Sequence, residues 1–414
     1  LSAPKQAIPG LKNNWKQFSL LVLINAFVGG MVGLERTILP EIAETDFAIA
    51  ARSAIFSFIV VFGFTKAIAN YFAGRFAQQF GRKRMLITGW LFGIPVPLIL
   101  MFAQDWNWII AANLLLGVNQ GLAWSANVIM KIDLAGEKDR GLAMGLNEFA
   151  GYLAVAIVAF LTGWIASEFG LRPYPFYLGV ILALLGLFMS IFLVRDTAAF
   201  VHYESEKAES SWQKKNLFRE VSLDNRNLQA ISQAGMMTNF KDGMAWGAFP
   251  LFLASAGLTL TQIGLVVAIY PAFWGVLQII TGKLSDYTGR KTMLWTGMMV
   301  QGISLLLFPA LEQFYAFLLT ASLLGIGTAM VYPTFLAAVA DLTHPRDRAE
   351  SVGVFRLWRD SGYAIGAIFS GIVADLFGIP LAILLTGLLV LVSALWILAR
   401  MDRLTIPLKS TGSG

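Results

Sequence analysis

Cysteine is missing from all 414 residues, which removes disulfides, thiolate metal sites and a cysteine nucleophile at once. Histidine is nearly missing too: His202 and His344 both fall in polar stretches. A tight transition-metal site needs imidazole or thiolate inside the apolar segments, so no metal site is expected. Charge is also scarce, with 14% Asp, Glu, Lys and Arg against 57% hydrophobic residues. A soluble domain carries about a quarter charged residues, so water is not the expected solvent for most of this surface. The net charge of +6 is spread over short polar stretches and forms no single stripe, so no nucleic-acid partner is expected. No phosphate-binding glycine loop, metal-ligand set or nucleophile–base pair stands out, so neither an enzyme nor a cofactor is expected. No cleavable signal peptide is expected either, because Lys5, Lys12 and Lys16 lead straight into a full-length apolar run.

What is present is a series of apolar runs, each of about 20 residues and long enough to cross a bilayer as a helix. The reading is an all-α membrane protein with twelve transmembrane helices near 17–39, 50–73, 85–103, 107–130, 140–166, 174–194, 228–256, 260–282, 291–310, 314–340, 347–374 and 379–400. The polar stretch 195–227, containing HYESEKAESSWQKKN, reads as a linker between six-helix bundles at 1–194 and 228–414. Of the 31 Lys and Arg residues, 24 fall in segments on the same side as the N-terminus. By the positive-inside rule both termini are expected in the cytoplasm, with the lipid bilayer as the main partner and a monomer as the expected state.

A shift of 208 residues aligns the halves. GRFAQQFGRKRML at 74–86 falls on GKLSDYTGRKTML at 282–294, DLAGEKDRGLAMG at 133–145 on DLTHPRDRAESVG at 341–353, and SEFG at 167–170 on the end of ADLFG at 374–378. Two related halves offering helices to a shared midplane cavity are the plan of many secondary carriers.

The repeated stretch G-x-L-x-D-x-x-G-R-[KR] resembles the signature of the major facilitator superfamily. Gly282, Leu284, Asp286, Gly289, Arg290 and Lys291 match it fully; Gly74, Gly81, Arg82 and Lys83 match in the first half, where Gln78 takes the Asp position. The resemblance implies two pseudo-symmetric six-helix bundles and alternating access. It also implies a cytoplasmic latch of charge and helix dipole, which Gln78 puts in doubt for the first half. Arg82, Lys83, Arg84, Arg290 and Lys291 can equally serve topology alone.

Drug exporters of that superfamily usually show R-x-x-Q-G in the fourth helix and a G-P pair in the fifth. Here the fourth helix reads GVNQG, with Gly117 at the arginine position, and the fifth reads GLAMGLNEFAGYLA without proline. The runs GLERTILP, GVNQGLAWS, GLNEFAGY and RLWRDSGYAIGA are similar instead to a bacterial subgroup regarded as efflux carriers, some linked to nickel. Met236, Met237 and Met244 offer thioethers to a metal, though such methionines more often serve packing.

Charges inside the spans are costly, so they face cavities or partners and are functional candidates. They are Glu35 and Arg36 in helix 1, Lys66 in helix 2, Glu148 in helix 5, Lys241 and Asp242 in helix 7, and Arg356, Arg359 and Asp360 in helix 11. At 1.5 Å per residue, Asp242 and Asp360 lie roughly 20 Å from the cytoplasmic helix ends, Glu148, Arg356 and Lys66 roughly 11–14 Å. Arg356, Arg359, Asp360 and Tyr363 share one helical face, and the 208-residue shift sets Arg356 on Glu148. Two readings stay open. In one, Lys66 and Asp360 neutralise each other, with Arg356 or Arg359, as an interdomain latch. In the other, Arg356 or Arg359 binds an anionic group while Asp360, Asp242 or Glu148 carries the coupling proton.

Glu148 has no cation at helical spacing, and Asp242 need not pair with adjacent Lys241, since consecutive helix residues point about 100° apart. Trp124, Trp246, Tyr270 and Trp274 are candidate aromatic walls; Asn25, Asn119, Gln120 and Asn147 bond across helices or to a ligand. The expected function is proton-coupled efflux of a small organic or anionic compound from the bacterial inner membrane. Divalent-metal efflux, proton-coupled symport into the cell and a non-transporting receptor or scaffold are the alternatives.

Overall fold

The computed structural model describes residues 8–36, 38–48, 52–136, 139–201, 216–258 and 260–402. A backbone that cannot hydrogen-bond to lipid must satisfy itself, which in these runs means helix. Twelve long helices follow: α1 (Leu11–Arg36), α2 (Arg52–Phe80), α3 (Arg82–Phe102), α4 (Trp106–Ala135), α5 (Arg140–Phe169), α6 (Tyr174–Phe192), α7 (Arg226–Ser255), α8 (Leu260–Thr288), α9 (Arg290–Ala310), α10 (Phe314–Asp341), α11 (Arg348–Phe377) and α12 (Ile379–Arg400). Ten of them are apolar enough to count as membrane spans by composition alone. The other two, α7 and α11, have 30 residues each and measure about 45 Å. Length is not what sets them apart; they carry the buried clusters Lys241–Asp242 and Arg356–Asp360.

The halves α1–α6 and α7–α12 meet along two antiparallel crossings, α2 on α11 and α5 on α8. The 208-residue shift exchanges these crossings. With an even number of spans, the start of α1 and the end of α12 face one side, called the terminal side. Near that side the crossings close through small residues. A Cβ on Gly74 would strike the backbone of Ala349 and Gly353, and one on Gly141 would strike Gly282. Such close approach is how membrane helices gain packing where lipid supplies no hydrophobic drive.

The helices outrun the apolar stretches. Residues Gly74–Phe80 and Gly282–Thr288, expected in loops, are the last turns of α2 and α8. Only Gly81 (φ 79°) and Gly289 (φ 88°) are left to turn the chain, in a left-handed conformation that glycine adopts without Cβ strain. An apolar run measures contact with hydrocarbon, whereas a helix continues into the headgroup layer. For the same reason Lys131, one residue past the end expected for the fourth span, stands inside α4 and is fully buried. Residues Gln120–Trp124 form a π-bulge in α4, a distortion found mostly at functional sites.

Candidate functional site

Asp360 ties three helices together at the α2–α11 crossing. Its Oδ1 accepts from Arg359 Nε at 2.8 Å and Asn239 Nδ2 at 3.1 Å, and its Oδ2 accepts from Asn70 Nδ2 at 2.5 Å. Arg356, fully buried, donates Nη1 to Ser125 Oγ at 2.9 Å, and Ser125 donates to Asn70 Oδ1 at 2.6 Å. Nε and Nη2 of Arg356 have no hydrogen-bond partner; the nearer Asp360 oxygen is 4.0 Å from Nε. The face expected from spacing is thus real, but Asp360 pairs within α11 and not with Lys66. The Lys66 ammonium lies 5.3 Å from the Trp124 ring and 5.5 Å from Phe62. Among the described residues no carboxylate is within 4.0 Å of it.

A second network sits inside the C-terminal half. Lys241 and Asp242 do pair, at 2.6 Å, because Cα directions about 100° apart still let two flexible side chains converge on one side. Lys241 also donates to Tyr270 OH at 2.5 Å and Thr328 Oγ1 at 3.0 Å. Tyr270 donates to Asp242 Oδ1, Tyr332 donates to Asp242 Oδ2 at 3.1 Å and to Asn239, and Tyr363 meets Tyr332 at 3.4 Å.

Glu148 differs from both aspartates. It is buried; Oε1 accepts from Asn147 Nδ2 at 2.6 Å and Trp124 Nε1 at 3.4 Å, while Oε2 accepts from nothing. Asn147 in turn takes the ammonium of Lys131 on its carbonyl oxygen at 2.6 Å. The Trp124 indole therefore contacts both a base and an acid, turning its face to Lys66 and its N–H to Glu148. Beside it, Tyr152 of α5 packs against Trp124, Trp274 and Tyr332 with centroids at 5.7, 4.1 and 5.8 Å, which joins the halves through rings.

Nearer the terminal side, Asp286 of α8 accepts from the backbone N–H of Gly141 at 3.0 Å and Leu142 at 3.3 Å and pairs with Arg290 at 2.8 Å. A carboxylate at a helix N-terminus meets unsatisfied N–H groups and a favourable dipole. Arg290 also holds Asp341 at 2.9 Å, Arg140 crosses from α5 to the same Asp341 at 2.9 Å, and Lys283 reaches Asp139 at 2.9 Å. The first-half counterpart, Arg82 to Asp133 at 3.5 Å, stays within its own bundle.

A family profile described as Major Facilitator Superfamily matches residues 19–232 and 231–413. The chain belongs to that superfamily. It is an integral membrane transporter and not an enzyme. Similar superfamily proteins include Multidrug resistance protein 2 of Bacillus subtilis, 23% identical over 88% of this chain and 90% of that one. Multidrug resistance protein MdtG of Escherichia coli is 23% identical over 95% and 97%. Among solved structures, the human organic anion transporter MFSD10 (TETRAN) superposes with a TM-score of 0.78 at 12% identity, covering 93% of this chain and 99% of that one.

Within this superfamily fold the remaining candidates separate. Asn25, Asn119 and Gln120 donate to the carbonyls of Asn147, Gly89 and Val28 at 2.7–2.8 Å, bonding helix to helix. Glu35 accepts from Asn113 at 3.1 Å, apart from the midplane groups. Trp246 is 37% exposed and joins none of the ring contacts around Tyr152. Lys83 donates to the Asp196 side chain and the Ile191 carbonyl, and Lys291 is half-buried. The side chains of Arg36 and Gln78 lie outside the described residues. Asn70, Ser125, Lys131, Tyr152, Asn239, Thr328 and Tyr332 were not anticipated. The apolar run ANVIMKIDLA around Lys131 was the one available signal; the others are neutral residues that resemble ordinary packing.

Proposed function

We propose that this transporter is a proton-coupled exporter of a small organic compound, working by alternating access. The halves 1–194 and 228–414 rock about the midplane groups, with 195–227 as the linker. Its setting in this reading is a bacterial inner membrane, in keeping with the Bacillus subtilis and Escherichia coli relatives. The excess of Lys and Arg makes the terminal side cytoplasmic. The Asp286 and Asp341 latch then seals the cytoplasmic side, in an outward-facing or occluded arrangement. Efflux is supported by the names of the multidrug resistance relatives.

One observation carries the coupling. Glu148 is buried with one oxygen unpartnered and no base within ion-pair distance among the described residues. A buried carboxylate oxygen with no hydrogen bond is expensive there, and a proton can neutralise it in place. Asp242 and Asp360 already hold Lys241 and Arg359, so they rank behind it. For divalent-metal efflux, no group of three His, Cys, Asp or Glu side chains gathers among the described residues.

The test is reconstitution in liposomes with an internal pH dye, screening lipophilic cations, organic acids and divalent metals. Glu148→Gln is expected to abolish substrate-driven proton movement while substrate exchange across the membrane continues. Proton movement that persists in Glu148→Gln at the wild-type rate removes Glu148 as the carrier.

A further inference from the structure

We infer that the midplane site takes an organic carboxylate with a flat apolar body, gripped by Arg356. The inference rests on the transporter reading above and adds the substrate class. Lys66, Arg356, Arg359, Asp360 and Glu148 all lie within electrostatic reach of one another, three cations to two acids. The acids do not balance them where it matters. Asp360 already accepts Arg359, Asn239 and Asn70 at 2.5–3.1 Å. Glu148 is turned towards Asn147 and Trp124.

What remains among the described residues is a fully buried guanidinium with two donors that no hydrogen bond uses, Asp360 lying 4.0 Å from one of them, and a buried ammonium set against the Trp124 and Phe62 rings. Like charges brought together in a low dielectric are unfavourable until an anion joins them. The free donors also specify the shape of that anion. Nε and Nη2 share one edge of the guanidinium, and that edge holds a carboxylate by two parallel N–H···O bonds. The opposite edge is already anchored through Nη1 to Ser125 and Asn70, so the fork is held in place before any ligand arrives. The Trp124 ring that Lys66 faces packs on Tyr152, and Tyr152 on Trp274, a run of rings against which a flat apolar body can stack.

The experiment uses purified full chain in detergent, with no gradient, and radiolabelled 2-naphthoate read by scintillation proximity. Unlabelled 2-naphthoate, 2-naphthamide and 2-naphthylmethylamine serve as competitors. The amide and the amine are expected to compete at least about ten-fold more weakly than the acid, and Arg356→Gln to weaken naphthoate binding by about ten-fold or more. Arg356→Lys keeps the charge but not the fork, which guards against a folding defect in the glutamine variant; its affinity is expected to fall between the two. Equal competition by amide and acid, wild-type affinity in Arg356→Lys, or no naphthoate binding to the wild type overturns the inference. Because binding is read without a gradient, naphthoate that binds while no compound drives proton flux sinks only the coupling proposal. Proton flux driven by uncharged compounds, with no carboxylate bound, sinks only this one.

Discussion

The two crossings between the halves are related by the internal repeat yet are held by different forces. At α5–α8 the terminal end is closed by charge: Asp286 sits on the first amides of α5, and Arg140 reaches Asp341. Its middle is closed by rings, Tyr152 on Trp274. At α2–α11 the order is reversed. Its terminal end is glycine on backbone, Gly74 against Gly353, and its middle is the polar chain linking Asn70, Ser125, Arg356 and Asp360. The helix starts differ in the same way. α11 carries its own acid, Glu350, in its first turn, whereas α5 has none there and takes Asp286 from the other half. Both terminal ends pack glycine on backbone, Gly141 on Gly282 as well as Gly74 on Gly353; among the described contacts, α5–α8 adds charge between the bundles. In the proposed mechanism, opening the terminal side would break those charge contacts at α5–α8 and van der Waals contacts at both crossings.

Three substitutions test that contrast. Asp360→Asn should have the largest effect, because it leaves Arg359 buried without its acid. A loss of about 3–5 kcal/mol is expected, read as a marked drop in the thermal midpoint of the detergent-solubilised protein. An unchanged midpoint would show that the α2–α11 middle is not held by this charge. Asp286→Asn should shift the closed–open balance of the terminal side by about 1.5–3 kcal/mol, the worth of hydrogen bonds to a charged group. The chain has no cysteine of its own, so a single cysteine introduced at Ala143 reports that opening by its labelling rate. Equal labelling in both backgrounds would mean that Asp286 is no latch. Gln78→Asp, which restores the second-half pattern in the first half, should have the smallest effect. Glu350 already serves the α11 start, so less than about 1 kcal/mol of added closure is expected. A shift as large as that of Asp286→Asn, in the opposite direction, would make the two crossings equivalent after all.

Much of this contrast was readable from residue order. Gln78 stands where the second half has Asp286, and Arg356 aligns with Glu148, a base against an acid. The pairing pattern was not readable. Adjacent Lys241 and Asp242 bond to each other, as do Arg359 and Asp360, although their Cα directions diverge. Lys66, expected on Asp360, lies instead against Trp124 and Phe62. Long side chains choose partners by where their tips can meet, and backbone spacing does not encode that.

The sequence by itself determined the twelve spans, the repeat and most of the midplane charges, Lys131 excepted. It could do so because a bilayer allows one backbone solution and penalises each charge whatever its neighbours. Only the tertiary structure decided which charges cancel. Neutral residues from distant helices — Asn70, Ser125, Asn147, Asn239 — saturate Asp360, turn Glu148 away and leave one edge of Arg356 unpartnered. Their role depends on three-dimensional convergence, for which a polar residue in an apolar run carries no separate mark.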